Sequence, residues 1–205
     1  MKFIENILTD KVVERIKRIF LQNEFNWFYN SSTSKIRPGD NSALIDNNTK
    51  ESIQFSHSLY QNDSFESEYV EYVMKIMKAL EEQEGIVCTR MLKAKCNLLP
   101  QDSSFLPNEY HPPHIDSRDV TNNTYTLVYY VNDSDGDTIV FNESVFDEFE
   151  DLTIAHKQTP RAGCGLLFKS STYHASSSPV TNSSRIVINI VFESDETKRR
   201  ENILL

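Results

Sequence analysis

Four residues in this chain have the types and spacing to do chemistry: His114, Asp116, His174 and Arg185. His114 and Asp116 are two positions apart in Tyr110-His111-Pro112-Pro113-His114-Ile115-Asp116. On an extended strand, residues i and i+2 point to the same face, so an imidazole and a carboxylate would project side by side. A facial iron site needs one more ligand, and His174 is the natural candidate. Two imidazoles and a carboxylate on one face of an octahedron leave positions open for other ligands. Arg185, eleven positions after His174, carries a planar fork of N–H donors suited to a carboxylate. His111 competes with His114 but does not share a strand face with Asp116, which puts it beside the site or in solvent. His57 and His156 lack any such context and read as ordinary histidines. Arg161 and Arg118 read as surface charges.

The composition narrows the setting. A chain of 205 residues with 39% hydrophobic content is expected to form one domain with a buried core. No apolar run is long enough to span a membrane. The start, Met1-Lys2-Phe3-Ile4-Glu5-Asn6, turns polar too early for a secretory signal. Cys88, Cys96 and Cys164 are odd in number and form no CxxC, which argues against a disulfide framework and fits a reducing cytoplasm. The formal charge of −9 disfavours a general binder of phosphate backbones.

These four residues must be positioned by elements with the matching periodicity. Val12, Val13, Ile16, Ile19 and Phe20 recur at helical spacing after Asp10, a candidate cap. Residues 26–48 show no clear period and read as a long loop or short strand pair, with Trp27 and Tyr29 as core anchors or as the edge of a substrate channel. A second helix is expected from Ser64, through Phe65, Tyr69, Val73, Met77 and Leu80, to a stop at Gly85. From Ile86 the period changes. Strands are expected in 87–99, closed by Pro100, then over 124–132, 138–141, 162–168, from Tyr173-His174 and over 185–192. The turn Asn132-Asp133-Ser134-Asp135-Gly136 reads as joining two of them into a hairpin. Pro112-Pro113 stiffens the approach to His114. Helices followed by strands suggest an α+β fold with a jelly-roll core.

The ordered segments resemble Fe(II)- and 2-oxoglutarate-dependent oxygenases of the prolyl-4-hydroxylase-like branch, in feel the compact versions carried by phages and bacteria. The resemblance rests on His114-Ile115-Asp116, Tyr125 to Asn132, Asp135 to Phe141, Thr159 to Gly163, His174 to Val180 and Arg185 to Ile190, and it covers roughly residues 86 to 192. It implies a double-stranded β-helix (jelly-roll) core over 86–192, buttressed by N-terminal helices. In that reading residues 1–85 are mainly helical support and a long loop, 193–205 a peripheral tail, and 1–205 a single oxygenase domain.

The resemblance also implies roles. His114, Asp116 and His174 would hold Fe(2+). Arg185 would take the 5-carboxylate of 2-oxoglutarate, Tyr130 would donate to the same carboxylate, and Thr126, on the same strand face, would add a hydroxyl. Asn97 is a further candidate contact. The activity implied is hydroxylation of a C–H bond with O2, giving succinate and CO2, with ascorbate as an optional accessory. The substrate would be a prolyl residue in a peptide or protein, or a small molecule. No membrane role is implied, and a cytoplasmic location is, the host cytoplasm if the gene is a phage's. The nucleic-acid demethylase branch carries a second arginine shortly after the first, and Ile186 to Phe192 has none. Two alternatives remain: a non-catalytic jelly-roll binding module, and a cupin-like metal-dependent enzyme, which would have no need of Arg185.

Overall fold

The computed structural model describes residues 1–33, 45–116, 121 and 123–195. Eleven strands and two helices follow in chain order among them: β1 (Lys2–Ile4), α1 (Asp10–Leu21), β2 (Phe28–Asn30), β3 (Gln54–Gln61), β4 (Ser64–Phe65), α2 (Val70–Glu84), β5 (Cys88–Pro100), β6 (Thr124–Tyr130), β7 (Thr138–Ser144), β8 (Ile154–Gln158), β9 (Gly165–Lys169), β10 (Thr172–Ser176) and β11 (Ser184–Ser194). Arg118 lies outside the described residues.

The helices form where apolar residues recur every three or four positions. Val13, Ile16 and Phe20 are the buried stripe of α1. Its capping position is Thr9 rather than Asp10: the Thr9 carbonyl accepts the Val12 and Val13 N–H groups. Asp10 is instead the first helical residue, where its charge suits the positive end of the helix dipole. Val73, Ile76, Met77 and Leu80 are the stripe of α2, which ends as expected at Gly85, left-handed at φ 66°. The start of α2 differs from the sequence pattern. Asn62 and Asp63 both adopt left-handed backbone, at φ 53° and 57°, and turn the chain into a tight hairpin. Ser64 and Phe65 therefore fold back on β3 as β4, and the helix begins at Val70.

The larger sheet runs β1-β9-β6-β11-β5-β3-β2, with β4 paired to β3. The smaller runs β10-β7-β8. Strand β11 sits between β6 and β5, and its alternation divides the molecule. Ile186, Ile188, Ile190 and Phe192 join α1 and α2 in the main core, with Leu127 and Tyr129 of β6 and Val131 just after it. The opposite face contributes Val187, packed with Val128, Tyr130, Val140, Cys164, Leu166 and Phe168 in a second cluster between the sheets. Two antiparallel layers with helices on one outer face are consistent with the jelly-roll expectation. No helix among the described residues is long and apolar enough to cross a membrane.

Two further expectations change. Before residue 86 the chain adds four strands to its helices, including eight-residue β3. And β6 and β7 do not form a hairpin, because they belong to different sheets. After β6 the backbone bonds onward within the large sheet, Val131 N–H to Ile186 O, and the Asn132 side chain donates to Ser184 O. The chain then crosses to the small sheet through Gly136, where a Cβ would lie 2.5 Å from the Ser177 carbonyl oxygen, so only glycine fits.

Asp135 holds that crossing in place. Its carboxylate accepts the backbone N–H groups of Val180, Thr181 and Asn182 and the Thr181 hydroxyl. Burial raises its pKa, but these donors outweigh that and leave it below the usual carboxylate value. Because the folded-state value is depressed, the stabilisation is complete above the unfolded pKa of about 3.9 and fades as pH falls through the folded value. Asp135→Asn is expected to cost about 1–3 kcal/mol at pH 7 and progressively less towards pH 3. Urea unfolding across that range checks it, and a pH-independent deficit would contradict it.

Candidate metal centre

The segment carrying the first ligands is not a strand. Pro112 and Pro113 have no N–H to donate, so no ladder can form there. The chain is tied instead at separate points. Tyr110 N–H donates to Asn48 O, Lys50 N–H to Tyr110 O, and His111 N–H to Ser176 O. His114 and His174 exchange both backbone hydrogen bonds, at 2.9 and 3.0 Å, as an isolated bridge. Strand parity therefore does not bring His114 and Asp116 together. The bridge to β10 sets His114 beside His174, and Asp116 follows.

The nearest ligand atoms of His114, Asp116 and His174 lie within 4.8 Å of one another. The imidazole centroids are 4.6 Å apart. His114 Nδ1 faces Pro112 O at 3.1 Å, and His174 Nδ1 faces Thr172 O at 3.2 Å. A carbonyl can only accept, so each Nδ1 donates there and each Nε2 is the nitrogen turned towards the other ligands. His174 Nε2 stands 3.4 Å from Asp116 Oδ2, and both atoms are buried without a hydrogen-bond partner. Ring nitrogens and a carboxylate thus converge in a buried position.

The electrostatics fit the same picture. Burial, and then the neighbouring His174, lower the His114 imidazole to about 4. Burial alone would raise the Asp116 carboxyl, but facing His174 and then His114 hold it well below the usual carboxylate range. At neutral pH the trio thus presents a neutral imidazole at His114 and an ionised carboxylate, the forms a divalent cation needs. Mixed imidazole and carboxylate donors suit iron, among other first-row metals.

Arg185 is 4% exposed. Its Nε donates to Gly136 O at 2.8 Å and its Nη2 to Thr138 Oγ1 at 2.7 Å. Among the described residues it has no ion pair. Burial lowers its pKa, opposed by Tyr130 and Asp137. The Tyr130 hydroxyl donates to the same Thr138 oxygen at 3.0 Å. Tyr130, Thr138 and Arg185 therefore form one buried polar group with donors to spare. Thr138 was not singled out from the sequence, since a threonine near a strand end carries no signal of its own. Its place on β7 opposite β11 is visible only once the sheets are assembled.

Thr126 is placed apart from that group. It lies four residues along β6 from Tyr130, and its hydroxyl is engaged with Ser170 Oγ at 2.9 Å. Asn97 is 9% exposed and faces the space between the sheets. His111 is fully buried, not solvated: its ring nitrogens face Ser176 Oγ and Ser178 Oγ at 3.0 and 3.2 Å. Burial first, then nearby Arg185, lower it to about 3, so it is neutral. It pins the chain after β10 beneath Arg185. His57 packs among Phe25, Phe28 and Tyr69 and bonds Asn26 and Ser67, away from the trio. Arg161 is exposed and pairs with Glu5.

No protein-family model and no curated protein sequence matches the chain. Its structure nonetheless has clear likenesses. A prolyl-4-hydroxylase of Pseudomonas putida superposes with a TM-score of 0.51 at 14% identity, over 94% of this chain and 91% of that one. A prolyl hydroxylase of Trichoplax adhaerens, bound to a peptide fragment of hypoxia inducible factor, gives 0.56 at 15%, over 98% and 86%. The nogalamycin-biosynthesis epimerase SnoN, bound to Fe3+, alpha ketoglutarate and nogalamycin RO, gives 0.56 at 14%, over 93% and 77%. At such identities the likeness establishes the fold, which this chain shares with enzymes acting on peptides and on small molecules.

Proposed function

We propose that this chain is an Fe(II)- and 2-oxoglutarate-dependent dioxygenase that hydroxylates a C–H bond. One observation carries the reading. Two imidazole nitrogens and a carboxylate converge in a buried position, within 4.8 Å of one another. Leaving them so without a cation is costly, because buried polar atoms without partners lose their hydration. The unpaired buried Arg185 supports it independently, since an uncompensated charge there calls for an anion.

Bound iron and 2-oxoglutarate would supply the oxidising chemistry, with succinate and CO2 as co-products. The protein binds and orients. His114, Asp116 and His174 would hold the metal. The Pro112 and Thr172 carbonyls hold both imidazoles in the ligating tautomer. Arg185 and Tyr130 take the distal carboxylate, and Val128, Val140, Leu166, Phe168 and Val187 keep water away between the two ends. A prolyl residue in a peptide is the first substrate to try, a small molecule the second.

The deciding experiment needs no substrate. Fe(II) and 2-oxoglutarate are added to the protein without oxygen, and the visible charge-transfer band of the chelated keto acid is sought. A band is expected. A folded protein that takes up Fe(II) but shows none is a metal-binding jelly roll of another kind. Thr138→Val extends the test. It leaves Arg185 and Tyr130 without their shared acceptor, at a cost of about 1–3 kcal/mol. The titration with 2-oxoglutarate should weaken by roughly tenfold, with Fe(II) uptake unchanged; an unchanged titration removes Thr138 from the subsite.

A further inference from the structure

The inward face of the large sheet is not uniformly apolar. Along β5 it carries Lys93, Lys95, Asn97 and Leu99, since Ala94 and Cys96 belong to the opposite core. In the register, Lys95 stands between Ser58 of β3 and Asn189 of β11, and Asn97 between Ser56 and Val187. Asn97 Oδ1 and Asn189 Oδ1 are both buried with no hydrogen-bond partner. Among the described residues neither Lys93 nor Lys95 makes an ion pair or side-chain hydrogen bond. Unpaired ammonium groups on an inward face are notable in a protein of net charge −9.

Position separates these cations from Arg185. Arg185 pairs with Leu99, four residues along β5 from Lys95. That is about 13 Å of strand between the two backbone positions. The lysines lie at the metal end: Lys95 is an electrostatic neighbour of His114 and Asp116, and Lys93 of Asp116. The inward face therefore carries a cation towards each end, Arg185 at one and Lys95 at the other.

We infer that the substrate carries a carboxylate, received at the metal end by Lys95, with Lys93 at the rim and the Asn97 and Asn189 amides alongside. This rests on the dioxygenase reading above. The carboxylate belongs either to a free amino acid or to an acidic residue of a peptide, two sources with one chemistry. The amides can turn to donate or accept, so they suit the groups flanking it.

The test uses matched pairs differing only in that charge: acetate and acetamide as the minimal probe, L-proline and L-prolinamide as the free form, acetyl-Glu-Pro-amide and acetyl-Gln-Pro-amide as the peptide form. Binding is read from perturbation of the anaerobic Fe(II)–2-oxoglutarate band, and from thermal shift of the metal-free protein. The carboxylate member of at least one pair should bind tenfold or more tighter. That preference should fall below twofold in Lys95→Met and persist in Lys95→Arg. Preference in the second pair alone assigns a free amino acid, in the third alone a peptide. Equal binding within every pair, or no binding up to high millimolar concentration, overturns the inference. So does a Lys95→Met protein that keeps the preference but loses 2-oxoglutarate affinity, which would place Lys95 at the cosubstrate. If no band forms at all, the dioxygenase reading fails, and the metal-free thermal shift still reports whether Lys95 selects carboxylates.

Discussion

Asp116→Ala ends Fe(II) uptake and makes the metal-free protein less stable than the wild type at neutral pH. The first half follows from ligand count. Losing even a group that merely orients a ligand costs about 10–100-fold in metal affinity, so losing the only anionic ligand costs more. The second half follows from the pull on the carboxyl. His174, 3.4 Å away, and His114 hold its pKa well below the usual carboxylate range despite burial. A depressed folded-state value is stability present at neutral pH, and removing the carboxylate forfeits it. Anaerobic Fe(II) titration reads the first effect, thermal unfolding with and without metal the second. Wild-type Fe(II) affinity in the variant removes Asp116 from the ligand set. Unchanged metal-free stability would show that the histidines do not stabilise the carboxylate's charge before metal arrives.

Arg185→Met separates the two ends of the site. Removing one member of a buried, hydrogen-bonded charge pair costs about 2–5 kcal/mol. The affinity for 2-oxoglutarate is thus expected to fall by two to three orders of magnitude, while Fe(II) binds as before. Arg185→Lys keeps the charge but loses the fork, and with it the simultaneous hold on Gly136 and Thr138. It should recover part of the affinity. Titration of the charge-transfer band with 2-oxoglutarate measures both variants. Equal loss of metal and cosubstrate binding in Arg185→Met would show that the arginine shapes the whole pocket rather than one end.

How far these residues could be found without the structure depends on how local their signal is. His114, Asp116, His174 and Arg185 stand out because of their types, order and spacing, and the structure brings the first three together. The reason first offered for His114 and Asp116 was not the operative one, since two prolines prevent a strand and the bridge to His174 does the placing. Tyr130 was separable from Tyr129 by alternation, and the two do face different clusters. The crossing at Asn132 to Gly136 carried a true turn signal, but turn residues do not say which sheet follows. Strand β3 was passed over because Gln54-Phe55-Ser56-His57-Ser58-Leu59-Tyr60-Gln61 is polar, although Phe55, His57 and Leu59 alternate as a strand should. Strand β8 is largely exposed and carries no apolar period to read. Thr138, Lys95 and Asn189 gain meaning only from cross-strand neighbours that no local window contains.

The mutual backbone bridge between His114 and His174 also bears on how metal and folding are linked. A metal joining two ligands about 60 residues apart acts as a cross-link, and closing such a loop costs an unfolded chain about 4 kcal/mol. Here the backbone has already closed it. The metal therefore meets a site assembled in advance and need not organise the chain around itself. Loading should be fast, with little change in heat capacity, and stripping the metal should leave a folded protein ready to reload rather than one that must fold again.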